Sequence, residues 1–116
     1  MAEPIIDAAT FESLTDAMGV DFMGELIDTY CDDTPQLIVQ LQQALEQGDA
    51  EGFRRLAHSI KSSSASMGAL NFAMLARDLE MIGKSGDLTG SAEKVNQLES
   101  EFESVVQALM ELKNEP

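Results

Sequence analysis

The sequence predicts an all-α protein, an antiparallel up-down four-helix bundle with a short extra helix at its N-terminal end. Apolar residues recur three and four positions apart along most of the 116 residues, which is the spacing of one helix face. The eight Gly and three Pro residues fall mostly between these periodic segments, and none of the segments alternates like a β-strand. Four long amphipathic helices joined by short loops make a bundle, and we expect one domain, residues 1–116.

The N-terminal segment predicts an arm followed by a short helix. Residues 1–6 are expected to form a loose arm. Asp7 or Thr10 can cap the helix that follows, because a side-chain oxygen can accept a hydrogen bond from the first turn. Gly19 is the expected end of this helix, since helices often stop at a glycine.

The second helix is predicted from about Asp21 to Gln47. Pro35 stands inside this stretch and either begins a new helix capped by Thr34 or kinks a continuous one. The apolar phase of the residues before Pro35 continues after it, which favours one kinked helix. Gly48-Asp49 is the expected turn.

The third helix is predicted from about Asp49 to Met67 and contains the only histidine, His58. Ser62 to Ser66 is almost entirely serine, a composition that also suits a linker. The apolar phase passes through this stretch without a Gly or Pro, which favours a helix, and Gly68 is its expected stop. The residues expected to face the core are Phe53, Leu56, Ala57, Ile60, Ser64 and Met67.

Two further helices complete the predicted bundle. The fourth spans about Asn71 to Ile82 and ends at Gly83, with residues 84–87 as a loop. The fifth spans about Ser91 to Lys113. Its apolar residues alternate three and four apart, as in a coiled-coil dimer, but only over about three heptads. We therefore predict that this helix packs within its own chain, and we expect a monomer.

Charge and composition exclude several classes of function. The formal net charge is −14, so we expect the chain to bind neither nucleic acid nor anionic membranes. None of its apolar runs approaches the roughly 18–20 residues that a membrane span needs, and residues 1–4 lack the basic start of a signal peptide. The lone cysteine, Cys31, cannot form an internal disulfide, and a reduced thiol favours a cytoplasmic location.

The basic residues are concentrated in one part of this acidic chain. No Lys or Arg precedes position 54, and five of the seven basic residues fall between positions 54 and 84. Solvated helix surface is enough to explain such a cluster. The alternative is a small positive site built for one anionic group. The five residues are Arg54, Arg55, Lys61, Arg77 and Lys84.

His58 is predicted to face solvent. At about 100° per residue it lies roughly 140° from the centre of the core side of the third helix. Arg54 lies one turn before it and Lys61 one turn after it, with the small residues Ser62 and Ala65 beside it. Nearby cations favour a neutral, nucleophilic imidazole and a negative group attached to it. The spacing therefore predicts a histidine that handles an anion or accepts a phosphoryl group, against the alternative of an incidental surface histidine.

The stretch His58-Ser59-Ile60-Lys61-Ser62-Ser63-Ser64, followed by Met67-Gly68-Ala69, resembles the signature of histidine-containing phosphotransfer (HPt) domains. These are phosphocarriers of two-component phosphorelays. The family motif reads His, any residue, apolar, Lys, Gly, then Ser or Ala, with Gly-Ala about ten residues on. The resemblance covers nearly the whole chain, because its length and helix order also fit. Ser62 departs from the motif, where the family usually has glycine, and its side chain would either crowd a phosphoryl group or donate a hydrogen bond to it.

The resemblance implies a role for each matching residue. His58 would carry the phosphoryl group between aspartates of receiver domains, and Lys61 would neutralise part of its charge. Glu80 occupies the place of a polar residue that holds the other ring nitrogen, and Lys84 falls at a second polar position. The alternative for Glu80 is a solvated ion pair with Lys84.

The remaining candidates surround these residues. Arg54 and Arg55 are candidates for direct contact with phosphate. Ser62 and Ala65 are small enough for the acidic pocket of a partner to close over the histidine. Gly68 has a structural role as the end of the helix. Apolar residues of the first two helices are candidates for a docking surface, with burial under the end of the bundle as the alternative: Leu14, Met18 and Phe22.

Several activities are not expected. The sequence has no Gly-rich phosphate loop and no Walker motif, so we expect neither ATP binding nor autokinase activity. The resemblance implies that the partners are response-regulator receiver domains or a hybrid sensor kinase, and that the receiver supplies the aspartyl phosphate and a Mg²⁺ ion. We expect this chain to have no cofactor and no metal of its own, since one histidine without a nearby Cys or facing Glu pair is not a ligand set.

Two other functions remain open. The dimerisation and phosphoacceptor region of a histidine kinase is also helical with an exposed histidine, but there an acidic residue typically follows the histidine and Thr-Pro comes shortly after. Ser59 follows His58 here, and no proline lies between Pro35 and the terminus. The other alternative is a non-catalytic acidic adaptor in which His58 is incidental.

Overall fold

A computed structural model describes residues 5–114 of the chain, and these form five helices. Helices α2 to α5 form an antiparallel up-down ring in which each packs against the next and α5 returns to α2, while α1 lies against α2 and α3. The predicted fold class is confirmed, and the described residues include no β-strand. None of their helices is long and apolar enough to cross a membrane. The helices are α1 (Ala8–Met18), α2 (Val20–Gln47), α3 (Ala50–Ser66), α4 (Leu70–Ser85) and α5 (Ala92–Lys113).

The core is built from the faces that the apolar spacing predicts. On α3, four of the six expected residues are fully buried and Met67 is nearly so, while Leu56 is half-buried. The seam of α5 is buried against α2 and α4 of the same chain, as predicted. Phe102 of this seam lies between Tyr30 and Phe72, with ring centroids 5.7 and 5.5 Å away. The buried residues of α5 are Val95, Leu98, Phe102, Val105 and Leu109.

The described start of the chain is anchored to the bundle, so the predicted arm is wrong at Ile6. Ile6 is buried in the core, and the backbone N–H of Asp7 donates to the carbonyl of Gly68 at 2.8 Å. Asp7 also caps α1, since its carboxylate accepts from the N–H of Thr10 at 3.0 Å. The hydrogen bond from the Thr10 hydroxyl, together with that from its backbone N–H, lowers the pKa of Asp7. None of the side chains of α1 itself is fully buried, and residues 1–4 lie outside the described part.

The turn after α3 depends on Gly68. Its φ of 89° lies in the left-handed region that favours glycine. A Cβ at this position would also lie 3.0 Å from the carbonyl oxygen of Asp7, so the contact between this turn and the start of α1 leaves no room for a side chain. The predicted helix stop is confirmed.

Helix α2 is continuous through Pro35, as predicted, but the predicted end of α4 is wrong. Helix α4 runs through Gly83 and stops at Gly86, which has a φ of 82°. Lys84 and Ser85 are therefore helical and not part of a loop. Gly83 is buried inside the helix at a close approach to α3, so this glycine serves packing and not chain reversal.

The serine-rich part of α3 is helical, as the apolar phase predicts, and three of its four hydroxyls have hydrogen-bond partners. Ser63 donates to the carbonyl of Ser59 at 3.0 Å, and Ser66 donates to that of Ser62 at 3.1 Å. Ser64 points into the core, where its hydroxyl shares a hydrogen bond of 2.6 Å with the hydroxyl of Tyr30. Burial raises the pKa of Tyr30, so its hydroxyl stays protonated.

We expect Tyr30→Phe to lower the free energy of unfolding by about 1–3 kcal/mol, because the Ser64 hydroxyl would remain buried without its partner. Adding Ser64→Ala removes the orphaned group and should recover most of the loss. Urea denaturation of the two single variants and the double variant measures both effects. A double variant no more stable than Tyr30→Phe would contradict this account.

Candidate phosphoacceptor site

His58 lies on the outer side of α3, where the sequence predicts it. Its side chain is 55% exposed. The neighbouring core positions Ala57 and Ile60 are fully buried, so the helix is fixed against the bundle and presents the ring to solvent. The ring is therefore accessible to a partner.

Glu80 of α4 holds the inner nitrogen of this ring. Its Oε2 lies 2.8 Å from Nδ1 of His58, and its Oε1 lies 2.7 Å from Nζ of Lys61. The hydrogen bond from Lys61, with a smaller contribution from His58, lowers the pKa of Glu80, so this side chain is a carboxylate. A carboxylate only accepts hydrogen bonds, so Nδ1 of His58 must carry the hydrogen. In the neutral ring, the lone pair is then on Nε2.

Lys84 takes no part in this cluster. The alternative ion pair between Glu80 and Lys84 is not formed, since both oxygens of Glu80 contact His58 and Lys61. Lys84 is exposed on the last turn of α4. Helical spacing places Lys84 close to Glu80 on α4, but Glu80 forms its ion pair with Lys61 of the neighbouring helix α3.

The arginines are near His58 in sequence but are not joined to its cluster by hydrogen bonds. The guanidinium of Arg54 donates to Glu51 from Nε at 3.1 Å and from Nη2 at 2.5 Å. Arg55 is exposed and lines a polar groove of about 400 Å³ between α2 and α3. The two cations that flank His58, Arg54 and Lys61, are thus each paired with a carboxylate, which makes the site less positive than the sequence predicts.

The small residues beside His58 leave the surface open. Ser62 is exposed, and its hydroxyl has no hydrogen-bond partner among residues 5–114. Ala65 is half-buried.

The described residues contain no group of three or more His, Cys, Asp or Glu side chains placed to hold a metal ion.

An apolar groove of about 360 Å³ lies between α1, α2 and α3, on the side of α3 that faces α2, and His58 itself does not line it. Ser59, the residue after His58, lines it. Of the predicted docking residues, Leu14 lines the groove and the other two do not. Met18 and Phe22 are each 44% exposed and lie one helical turn from the lining residues Leu14 and Leu26. Most of the lining is not predictable from the sequence, because these residues come from three helices and the apolar spacing of one helix does not show how it packs on the others. The lining includes Leu26, Tyr30, Leu37, Ser63 and Met67.

Comparisons with known proteins agree with this geometry. The family model described as "Hpt domain" matches residues 25–108. The chain is 36% identical over 61 residues to histidine-containing phosphotransfer protein 1 of rice (Oryza sativa subsp. japonica), a match that covers 50% of this chain and 41% of that protein. The chain thus spans less than half the length of this curated relative.

A solved structure is similar over nearly its whole length. The crystal structure of histidine-containing phosphotransfer protein B (HptB) from Pseudomonas aeruginosa PAO1 superposes with a TM-score of 0.89 at 30% sequence identity. The match covers 97% of this chain and 96% of that one. Together with the family model, which spans both His58 and Glu80, it shows that the chain belongs to the Hpt domain family.

Proposed function

We propose that this chain is a phosphocarrier of a two-component phosphorelay, accepting a phosphoryl group on His58 and donating it to an aspartate of a receiver domain. The observation that carries the proposal is the hydrogen bond between the exposed ring of His58 and the largely buried carboxylate of Glu80. Because Glu80 holds Nδ1, the nitrogen left for the partner is Nε2, the one expected to act as the nucleophile.

The accepting step needs little covalent assistance from this chain. The lone pair of Nε2 attacks phosphorus, and the new N–P bond forms as the P–O bond to the donor aspartate breaks. The aspartate carboxylate leaves with the electron pair. The hydrogen on Nδ1 stays in place, so the ring becomes positively charged opposite the Glu80 carboxylate, while Lys61 supplies a cation for the phosphoryl oxygens.

The partner supplies the remaining chemistry in this proposal. A response-regulator receiver domain, free or within a hybrid sensor kinase, brings the aspartyl phosphate and the Mg²⁺ ion. The chain itself would bind no ATP and would not phosphorylate itself. The reduced thiol expected for its single cysteine favours the cytoplasm as the compartment of this exchange.

The test is incubation of the purified chain with a receiver domain carrying a ³²P aspartyl phosphate. We expect transfer of a label that is lost in acid and stable in base, as for a phosphorus–nitrogen bond. An adaptor would gain no label. An obligate dimer in sedimentation equilibrium would instead favour the kinase phosphoacceptor region.

The apolar groove between α1, α2 and α3 is the proposed seat for the receiver. Ser59, the residue after His58, lines it, and its apolar lining would bury the apolar part of a partner surface while the ring meets the phosphorylated aspartate. Met18 and Phe22 extend this surface at the α1–α2 end.

We expect Phe22→Ala to raise the KM for the phosphorylated receiver about tenfold and to leave kcat nearly unchanged, because it removes docking area and no reacting group. Val39→Ala is the matched control, since Val39 is also a half-exposed apolar residue of α2. Phe22 lies one turn before Leu26, which lines the groove, whereas Val39 lies two residues after the lining residue Leu37 and so on the other side of the helix. Equal effects of the two substitutions on KM would contradict the assigned docking surface.

A further inference from the structure

Helices α3 and α4 approach each other closely at Gly83, about one helical turn from Glu80. Gly83 is buried inside α4, three residues after Glu80. It faces Arg54 of α3, four residues before His58. A Cβ built at Gly83 would lie 2.8 Å from the backbone nitrogen of Arg54, 2.9 Å from its Cα and 3.0 Å from its Cβ.

These contacts involve backbone, which cannot move aside as a flexible side chain can. Carbon atoms in van der Waals contact are normally about 3.5–4.0 Å apart, so a methyl group here would push α4 from α3 by roughly 0.5–1 Å. The contact between Glu80 and His58 is 2.8 Å long. A displacement of that size would stretch it to about the limit of a hydrogen bond, near 3.5 Å.

We infer that Gly83 is a positioning residue for phosphoryl transfer, because its missing side chain sets the helix spacing at which Glu80 reaches Nδ1 of His58. Gly83 touches no reacting atom and acts through Glu80. The inference rests on the proposed function for its effect on transfer, but its effect on the ring can be measured without any partner.

The first measurement is the tautomer of His58, read from the ¹⁵N chemical shifts of its two ring nitrogens. In the natural chain we expect the hydrogen on Nδ1. In Gly83→Ala we expect a mixture with the other tautomer, and a lower rate of phosphoryl acceptance by about tenfold, within the roughly 100-fold that a 1 Å misplacement can cost.

Gly24→Ala is the matched control. Gly24 is also inside a helix, and a Cβ there would have Lys113 Cε as its nearest neighbour, at an ordinary 3.9 Å. Both substitutions gain the same helix propensity, so only the close approach differs. We expect Gly24→Ala to leave tautomer and rate unchanged.

A double-substitution cycle tests whether Gly83 acts through Glu80. In the background of Glu80→Ala, adding Gly83→Ala should slow acceptance no further. An undiminished effect there would overturn the inference, as would an unchanged tautomer in Gly83→Ala. Failure of Gly83→Ala to fold would overturn it too, because the glycine would then serve the bundle alone. If the natural chain accepts no label but Gly83→Ala changes the tautomer as expected, only the proposed function is refuted.

Discussion

The His58→Gln chain is expected to accept no phosphoryl group from a phosphorylated receiver domain, while its free energy of unfolding changes by no more than about 0.5 kcal/mol. The ring is 55% exposed, so replacing it removes no core contact and the free energy of unfolding should change little. Glutamine keeps a polar side chain near Glu80 but has no nucleophilic nitrogen.

Label transfer and urea denaturation of the same preparation measure the two parts of this expectation. Asn96→Ala, at an exposed position of α5 outside the groove, is the control for an altered helix surface. Retained label in His58→Gln would place the phosphoacceptor on another residue. A large loss of stability would mean that the ring supports the fold.

Glu80→Ala is expected to slow phosphoryl acceptance by about 10- to 100-fold, because the ring loses the carboxylate that fixes its tautomer and faces the charge of the phosphorylated state. Glu80→Gln should lie closer to the natural chain, since an amide oxygen can still accept the hydrogen of Nδ1. Glu103→Ala removes one carboxylate from an exposed position of α5 and controls for the change in net charge.

The acid dependence of stability checks the same carboxylate. Glu80 has a pKa below its ordinary value of 4.5, chiefly because Lys61 donates to it. Its contribution to stability is therefore present above pH 4.5 and disappears as the pH falls through the lowered pKa. The stability difference between the natural chain and Glu80→Gln should shrink over that acidic range.

Equal acceptance rates for Glu80→Ala and the natural chain would contradict the role assigned to Glu80 in phosphoryl acceptance.

The helices were predictable because their apolar faces follow a single period. The exposed position of His58 follows from the same period, since Ala57 and Ile60 on the inner face of α3 are core. The ion pair of Arg54 was also predictable, because Glu51 lies three residues before it, on the same helix face. Its effect is to leave fewer unpaired cations around the histidine than the sequence predicts.

What the sequence left open depends on contacts between helices. Gly83 looks like a helix stop in a single stretch of chain, and only the position of Arg54 on α3 explains a buried glycine inside α4. Ile6 is buried because the backbone of Asp7 pairs with the turn at Gly68, 61 positions away in the chain. Helix packing likewise explains why Glu80 pairs with Lys61 of α3 and not with Lys84 of its own helix.

Helix α1 is held at its start by Ile6 and Asp7, but the helix itself buries little surface. It forms one wall of the apolar groove through Leu14, yet none of its own side chains is fully buried. Elements with little buried surface open at the lowest free-energy cost in local unfolding. In the proposed function, this wall can therefore move outward while the histidine stays fixed on α3, which would let one groove accommodate receivers of somewhat different shape.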